Sequence, residues 1–199
     1  MRQPAAVAAL VLAAGALAAC GGGERQDAGA PSGAFAVDVA RASFPARQSL
    51  ARHSTLRLVV RNTGDRDVPD LAVTVATAPA RAGQAPSAFG TRIAGADLAD
   101  ATRPVWVLDR GPQGGDTAYV DTWAFGGLRG GATRTVAFRV TAARAGRWRL
   151  TWRVAPALEG DVRLTGGGRT RGAFDVTITD APVDSRVGRG GVVVRAGGA

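Results

Sequence analysis

Apolar residues recur at every second position along most of this chain. The clearest run is Trp148, Leu150, Trp152 and Val154, which alternates with arginine and threonine. Residues at this spacing share one face of a β-strand, so one face is buried and the other meets solvent. The same pattern recurs at residues 35–39, 56–60, 71–75, 136–140, 162–164 and 174–178. Many short strands with Gly-rich turns and no helical stripe predict an all-β, antiparallel β-sandwich.

Two stretches combine strand alternation with a Gly-containing turn. The first reads Leu-x-Leu-x-Val-x-Asn-Thr-Gly-Asp at 56–65 and continues with Val68 and the alternation at 71–75. The second reads Leu-Arg-Gly-Gly-Ala-Thr at 128–133 and continues through 136–141 and Ala145-Gly146. The two stretches resemble extracellular bacterial modules of the CARDB type, and the resemblance implies an immunoglobulin-like sandwich with its opening hairpin at 56–75. It also implies a binding, adhesive or spacer role, and it carries over no catalytic residue.

Residues 77–127 separate the two stretches and form the predicted insertion. Residues 79–104 lack periodicity, apart from a short helical turn expected within 95–101, and loops of that length are usually functional or disordered. Beyond them we expect a strand at 105–108, a Gly-rich turn at 111–116 and a return strand at 118–125. The sequence therefore predicts an elaborated central hairpin.

The central hairpin carries the candidate partner surface. Its members are aromatic, acidic or arginine side chains: Trp106, Asp109, Arg110, Asp116, Tyr119, Asp121 and Trp123. Tyr119, Asp121 and Trp123 are expected on one face, and such mixtures are typical of recognition surfaces. The favoured alternative places the tryptophans in the core and the aspartates in turns. A third interpretation is a surface hydrolase that acts on wall or glycan through the three aspartates.

Other chemistry has little support. His53 is the only histidine and Cys20 the only cysteine, so a transition-metal site of His and Cys is not expected, and no nucleophile-elbow motif is present. Asp65, Asp67 and Asp70 suggest a calcium loop, but aspartate is also an ordinary turn residue. We therefore expect a surface histidine, no metal, no cofactor and no enzyme activity.

The positive charge of the chain comes entirely from arginine. The formal net charge is +9, and lysine is absent. Arg147, Arg149 and Arg153 alternate with the tryptophans and should point outward, with Arg139 expected beside them. Such a basic face suits an anionic polymer or lipid headgroup, because guanidinium groups bind phosphate and carboxylate in a bidentate manner. The alternative is a solvated strand face without a specific partner.

The N-terminal segment sets the expected location. Arg2 precedes an uncharged apolar run at 5–19, which is shorter than the roughly 20 residues of a membrane-spanning helix. Leu17-Ala18-Ala19-Cys20 resembles the lipobox of bacterial lipoproteins. The resemblance implies cleavage before Cys20, a diacylglyceryl thioether on its thiol and further acylation such as palmitate. Two acyl chains give stable anchoring, so we expect an extracytoplasmic protein on the membrane that meets no nucleic acid.

These observations predict four parts. They are a signal peptide at 1–19, the lipidated Cys20 with a flexible linker at 20–33, an immunoglobulin-like β-sandwich at 34–182 and a C-terminal tail at 183–199 with one last short strand. The expected function is a non-enzymatic binding, adhesion or spacer module of the cell envelope. The alternatives are an accessory subunit of a membrane protein complex and the hydrolase described above.

The lipobox interpretation predicts the outcome of a Cys20→Ala substitution. Without the thiol no thioether forms, so the variant should be released from membranes or stay tethered by an uncleaved, unlipidated signal. Membrane fractionation with intact-mass measurement distinguishes these forms from the lipidated protein. A Cys20→Ala protein that is processed and membrane-bound like the wild type would contradict the interpretation.

Overall fold

The computed structural model describes residues 31–79, 87–90, 104–180, 185–187 and 193–195. Over these residues the chain is all-β, without a helix, and forms two facing sheets, which confirms the predicted fold class. None of this described part is a helix with the length and hydropathy needed to cross a membrane. The predicted helical turn within 95–101 lies outside the described residues.

The first sheet has six strands: β1 (Ser32–Ser43), β3 (His53–Asn62), β5 (Phe89–Gly90), β6 (Trp106–Arg110), β9 (Thr133–Ala142) and β11 (Asp161–Thr165). Their order in the sheet is β11-β1-β3-β9-β6-β5. The four central strands pair antiparallel, whereas β11 and β5 add to the two edges in parallel.

The second sheet also has six strands: β2 (Arg47–Ser49), β4 (Ala72–Pro79), β7 (Asp116–Tyr119), β8 (Thr122–Ala124), β10 (Gly146–Ala155) and β12 (Arg171–Thr179). Their order in the sheet is β2-β12-β10-β4-β8-β7. All pairs are antiparallel except the edge pair of β2 and β12. A separate two-stranded ladder pairs β13 (Ser185–Val187) with β14 (Val193–Arg195).

The core lies between the inner faces of the two sheets, where the alternating apolar residues meet. Phe138 of β9 is fully buried, and its ring contacts those of Phe89, Trp123 and Phe125 at centroid distances of 5.5, 4.8 and 6.5 Å. Edge and tilted contacts of this kind contribute about 0.5–1.5 kcal/mol each beyond the area they bury. This aromatic cluster joins residues of both sheets.

Strands that follow one another in sequence mostly lie in opposite sheets. The stretches 56–60 and 71–75, expected to form one hairpin, belong to β3 in the first sheet and β4 in the second. Between them the buried Asn62 side chain donates to the carbonyls of Arg66 and Leu128 and accepts from Gly64 N–H. These bonds hold a wide loop that carries the chain across the sandwich.

The central region contains a hairpin, but with other partners than the sequence suggested. β7 pairs with β8, while the strand after Pro104, β6, pairs with β9 in the first sheet. The reason is burial: Trp106 and Trp123 both enter the core, Trp106 from the first sheet and Trp123 from the second. The Gly-rich connection at 111–115 crosses between the sheets and does not close a two-stranded turn.

Close packing against Gly172 generates a prediction on stability. Gly172 lies opposite Trp152, and a Cβ at this position would stand 2.4 Å from the buried indole ring. Gly172→Ala should lower the free energy of unfolding by about 1–3 kcal/mol, the usual cost of overpacking a core. Chemical denaturation of the full chain measures this change.

Gly111→Ala is the matched control, because nothing lies within 4 Å of a Cβ at that position. It should change the free energy of unfolding by less than about 1 kcal/mol. Equal effects of the two substitutions would show that the Trp152 contact is not responsible.

Candidate functional site

The structure divides the seven residues of the candidate partner surface among different places. Trp106 is fully buried and Trp123 is 5% exposed, so both belong to the aromatic core. Asp109 and Arg110 end β6 on the first sheet, whereas Asp116 begins β7 on the second. The seven residues therefore do not form one surface.

The tip of the β7–β8 hairpin explains why the expected common face of Tyr119, Asp121 and Trp123 does not exist. The chain turns at Val120 and Asp121, and Asp121 has a positive φ of 59°. Tyr119 before the turn is half exposed and donates a hydrogen bond to Glu159, while Trp123 after the turn is buried. The period-two expectation failed because a turn interrupts the strand.

Asp121 ties this hairpin to the first sheet. Its Oδ1 accepts a hydrogen bond from Ser87 Oγ at 2.9 Å, and its carboxylate also accepts from the backbone of Ala88 and Phe89. Burial raises the pKa of Asp121 above its ordinary value, although these hydrogen bonds act in the opposite direction. The arrangement stabilises a junction between sheets and leaves this carboxylate poorly exposed.

A polar cluster on the outer face of the first sheet escaped the sequence analysis. A β-bulge at Asp109 turns its carboxylate toward the neighbouring strands, where Oδ2 lies 2.8 Å from His53 Nδ1. The Thr141 hydroxyl lies 2.9 Å from the same nitrogen and donates to Asp109 Oδ1 at 2.5 Å. Arg139 Nε is 4.0 Å from Asp109 Oδ2. The cluster depends on strand order and register, so no local sequence signal points to it.

The candidate basic face is also rearranged. Arg147, Arg149 and Arg153 lie exposed on the outer face of β10, opposite to the buried Leu150. Arg139 lies on β9 in the other sheet, so the structure does not place it with them. Arg171 of β12 takes the position directly opposite Arg153. We call Arg147, Arg149, Arg153 and Arg171 the arginine face.

A shallow groove of about 370 Å³ crosses the arginine face. Its floor is a row of small residues from three neighbouring strands, Ala76, Thr151 and Ala173. One wall contains Arg153 and Arg171, and the other contains Arg149. Arg149 in one wall and Arg153 in the other are four positions apart along β10, or about 13 Å.

The two walls of the groove differ in their charge. Arg149 Nη1 lies 3.0 and 3.3 Å from the two carboxylate oxygens of Asp175. Arg153 and Arg171, in contrast, take part in no ion pair with another residue of the described ranges. Two like charges directly opposite on neighbouring strands destabilise a sheet unless an anion lies between them.

The aspartates considered for calcium and for hydrolysis have other contacts. Asp67 accepts from Gly130 N–H at 2.9 Å and Asp70 from Gly126 N–H at 2.8 Å, so both tie loops together. Within the described ranges no three His, Cys, Asp or Glu side chains gather as a metal site. Asp109 lies near the end of β6 in the first sheet, Asp116 begins β7 in the second, and Asp121 lies in the turn between β7 and β8.

Comparisons with known proteins add little to this picture. No family model and no curated protein matches this chain. Among solved structures, a CARDB domain from Pyrococcus furiosus, in complex with di-metal ions, matches with a TM-score of 0.43 and 16% identity over 74% of this chain and 94% of that chain. Native α2-macroglobulin from Escherichia coli, from domain MG7 to the C-terminus, matches with a TM-score of 0.44 and 15% identity. The match covers 76% of this chain and 18% of that chain. A β-glucosidase from Listeria innocua in complex with glucose matches with a TM-score of 0.39 and 14% identity, and the match covers 72% of this chain and 16% of that chain. Likeness at this level carries no functional argument.

The raised pKa of Asp121 predicts a pH-dependent effect of Asp121→Asn. Because the folded-state pKa lies above the unfolded value, the stabilising contribution of this carboxyl is present below the unfolded pKa and is lost as the pH rises through the folded pKa. Asparagine removes the charge, keeps one acceptor oxygen and tolerates a positive φ. The melting temperature of the variant relative to that of the wild type should therefore be higher near pH 7 than near pH 4.

Asp116→Asn, which changes an exposed carboxylate in the same hairpin, is the control and should leave the melting temperature nearly unchanged at both pH values. An Asp121→Asn difference that is the same at both pH values would mean that ionisation of this carboxyl does not affect stability.

Proposed function

We propose that this protein is a lipid-anchored, extracytoplasmic and non-catalytic module that binds an anionic polymer of the cell envelope in the groove of the arginine face. The observation that carries the proposal is the pair Arg153 and Arg171, which stand directly opposite on neighbouring strands without an ion-pair partner among the described residues. The anchor is the part that rests on sequence alone, through Leu17-Ala18-Ala19-Cys20.

The electrostatics of the groove favour an anion. The guanidinium groups of Arg153 and Arg171, which form one wall of the groove, are exposed, so they stay hydrated until a ligand binds. A phosphate or carboxylate between them accepts charge-assisted hydrogen bonds from both and removes their mutual repulsion. Asp175 already neutralises Arg149 at the opposite wall, which makes the Arg153–Arg171 wall the stronger point of attachment.

The shape of the groove favours an extended chain over a compact ligand. Its floor crosses three strands, from Ala76 through Thr151 to Ala173, and offers no large side chain that would block a chain lying across it. The wall that contains Arg153 and Arg171 continues onto β4 with Thr74 and onto β8 with Thr122. The hydroxyl oxygens of these two threonines lie 3.0 Å apart. A linear polymer with repeated anionic groups meets arginine first and threonine hydroxyls further along the same wall.

Two adjacent arginines in the wall allow a direct test. The full chain is held by its anchor in nanodiscs of zwitterionic lipid, and binding of linear inorganic polyphosphate is measured at fixed ionic strength. The double substitution Arg153→Gln with Arg171→Gln should weaken binding about tenfold, because two charge-assisted contacts are lost from an exposed site. Added salt should weaken wild-type binding more than binding of the variant.

The matched control is Arg57→Gln with Arg61→Gln on β3, which removes two exposed arginines from the outer face of the other sheet. This control should change affinity less than about threefold. Equal losses in the two variants would mean that polyphosphate responds only to net charge, and the groove proposal would be wrong. Nanodiscs with anionic lipid identify the other source of the same chemistry: competition by the lipid would assign the groove to headgroups.

A further inference from the structure

We infer that a second cleft, at the end of the sandwich opposite to Ser32, is a binding site for a compact phosphate group. The inference does not rest on the groove of the arginine face. The cleft has a volume of about 580 Å³, which is within the usual range for small-molecule sites of roughly 300–1,000 Å³. The residues that carry the argument are Arg47, Ser49, Arg52, His53, Thr177 and Thr179.

The cleft forms where the chain passes from the first sheet to the second and back. β1 ends in the first sheet, the short β2 adds to the edge of the second sheet beside β12, and β3 returns to the first. The return is a tight turn in which Ala51 has a positive φ of 58° and Arg52 N–H donates to the Ser49 carbonyl at 3.2 Å. This turn places Arg52 and His53 next to β2.

A buried glutamine fixes the wall behind the cleft. Gln48 Oε1 accepts a hydrogen bond from Trp106 Nε1 at 2.8 Å, and its Nε2 donates to the Pro45 carbonyl at 3.0 Å. Leu50 N–H donates to the Thr179 carbonyl at 2.9 Å, which holds the end of β2 against β12. The side chains around the cleft therefore project from a rigid frame, and less conformational freedom is lost when a ligand binds.

Two arginines and one histidine are among the residues that line the cleft. Arg47 and Arg52 are exposed, and neither forms an ion pair with any carboxylate in the described part of the chain. His53 Nδ1 donates to Asp109 Oδ2, so Nε2 of the neutral ring is a hydrogen-bond acceptor, and His53 serves as a reporter beside the cleft and not as a donor to an anion. No carboxylate is among the residues that line the cleft.

Hydroxyl groups complete the donor set. Ser49 Oγ and Thr179 Oγ1 lie 3.2 Å apart, and Thr177 stands opposite Arg47 on the neighbouring strand. A tetrahedral phosphate dianion accepts hydrogen bonds in several directions and neutralises two guanidinium groups. A planar carboxylate carries one charge and satisfies one arginine fork. Two arginines and the hydroxyls of Ser49, Thr177 and Thr179 around one concave site therefore fit a phosphate better than a carboxylate.

The single histidine makes the experiment specific. In the full chain, held in zwitterionic nanodiscs and labelled with ¹³C at the histidine ring, the one imidazole signal belongs to His53. Titration with inorganic phosphate at fixed pH and ionic strength should shift this signal along a saturating curve. Acetate at the same ionic strength should not saturate over the same concentrations.

Paired variants separate this cleft from the groove. Arg47→Gln with Arg52→Gln should weaken the phosphate response about tenfold. Arg52→Gln alone, in an exposed turn, serves as a milder variant with a smaller loss. Arg153→Gln with Arg171→Gln changes residues about 20 Å away along β12 and should leave the response unchanged within about twofold.

Three results would overturn the cleft assignment: a His53 signal that phosphate does not move, the same shift with acetate, or an Arg47/Arg52 variant that titrates like the wild type. The two proposals fail separately, because polyphosphate binding is lost through Arg153 and Arg171, whereas the His53 response is lost through Arg47 and Arg52.

Discussion

The packing of the two sheets against each other depends on the ring of Phe138, which aromatic residues from both sheets contact. The chain has one cysteine, so no disulfide within the chain links the sheets. Phe89 approaches Phe138 from the first sheet, and Trp123 and Phe125 approach from the second sheet and its adjoining loop. Large rings on facing sheets fill the space between them with few residues, and the arginine-rich outer faces can then vary without cost to the core.

The outer surfaces follow from this packing. A strand that sends Leu150 and Trp152 inward must send Arg149 and Arg153 outward, because successive side chains alternate. Whether such arginines repel one another or find partners depends on which residue lies opposite on the next strand. Arg149 meets Asp175, and Arg153 meets Arg171. The binding properties proposed for the groove are thus a consequence of register, fixed by the apolar residues on the hidden face.

This division also explains what the sequence could predict. The all-β class and the burial of the alternating faces followed from local spacing, and the outward direction of the arginines on β10 followed with them. The pairing of strands did not follow from local spacing. Residues 56–60 and 71–75 have equally regular strand patterns, and no local feature indicates that they belong to opposite sheets. Arg139 was grouped with the wrong strand for the same reason, and Arg171 was missed. The contact of His53 with Asp109 joins residues 56 positions apart through a bulge, which periodicity does not encode.

The alternation of consecutive strands between sheets has a consequence for the speed of folding. β3 cannot find its partner β9 until residues 133–142 exist, and β2 pairs with residues 177–179 at the far end of the domain. The ladders of β1 with β11, β3 with β9, β4 with β10 and β2 with β12 therefore each close a long loop before they contribute, and domains dominated by such distant pairings fold in milliseconds to seconds. In a chain of this topology β1 and β3 can pair early, but neither sheet is complete until residues 161–179 are present.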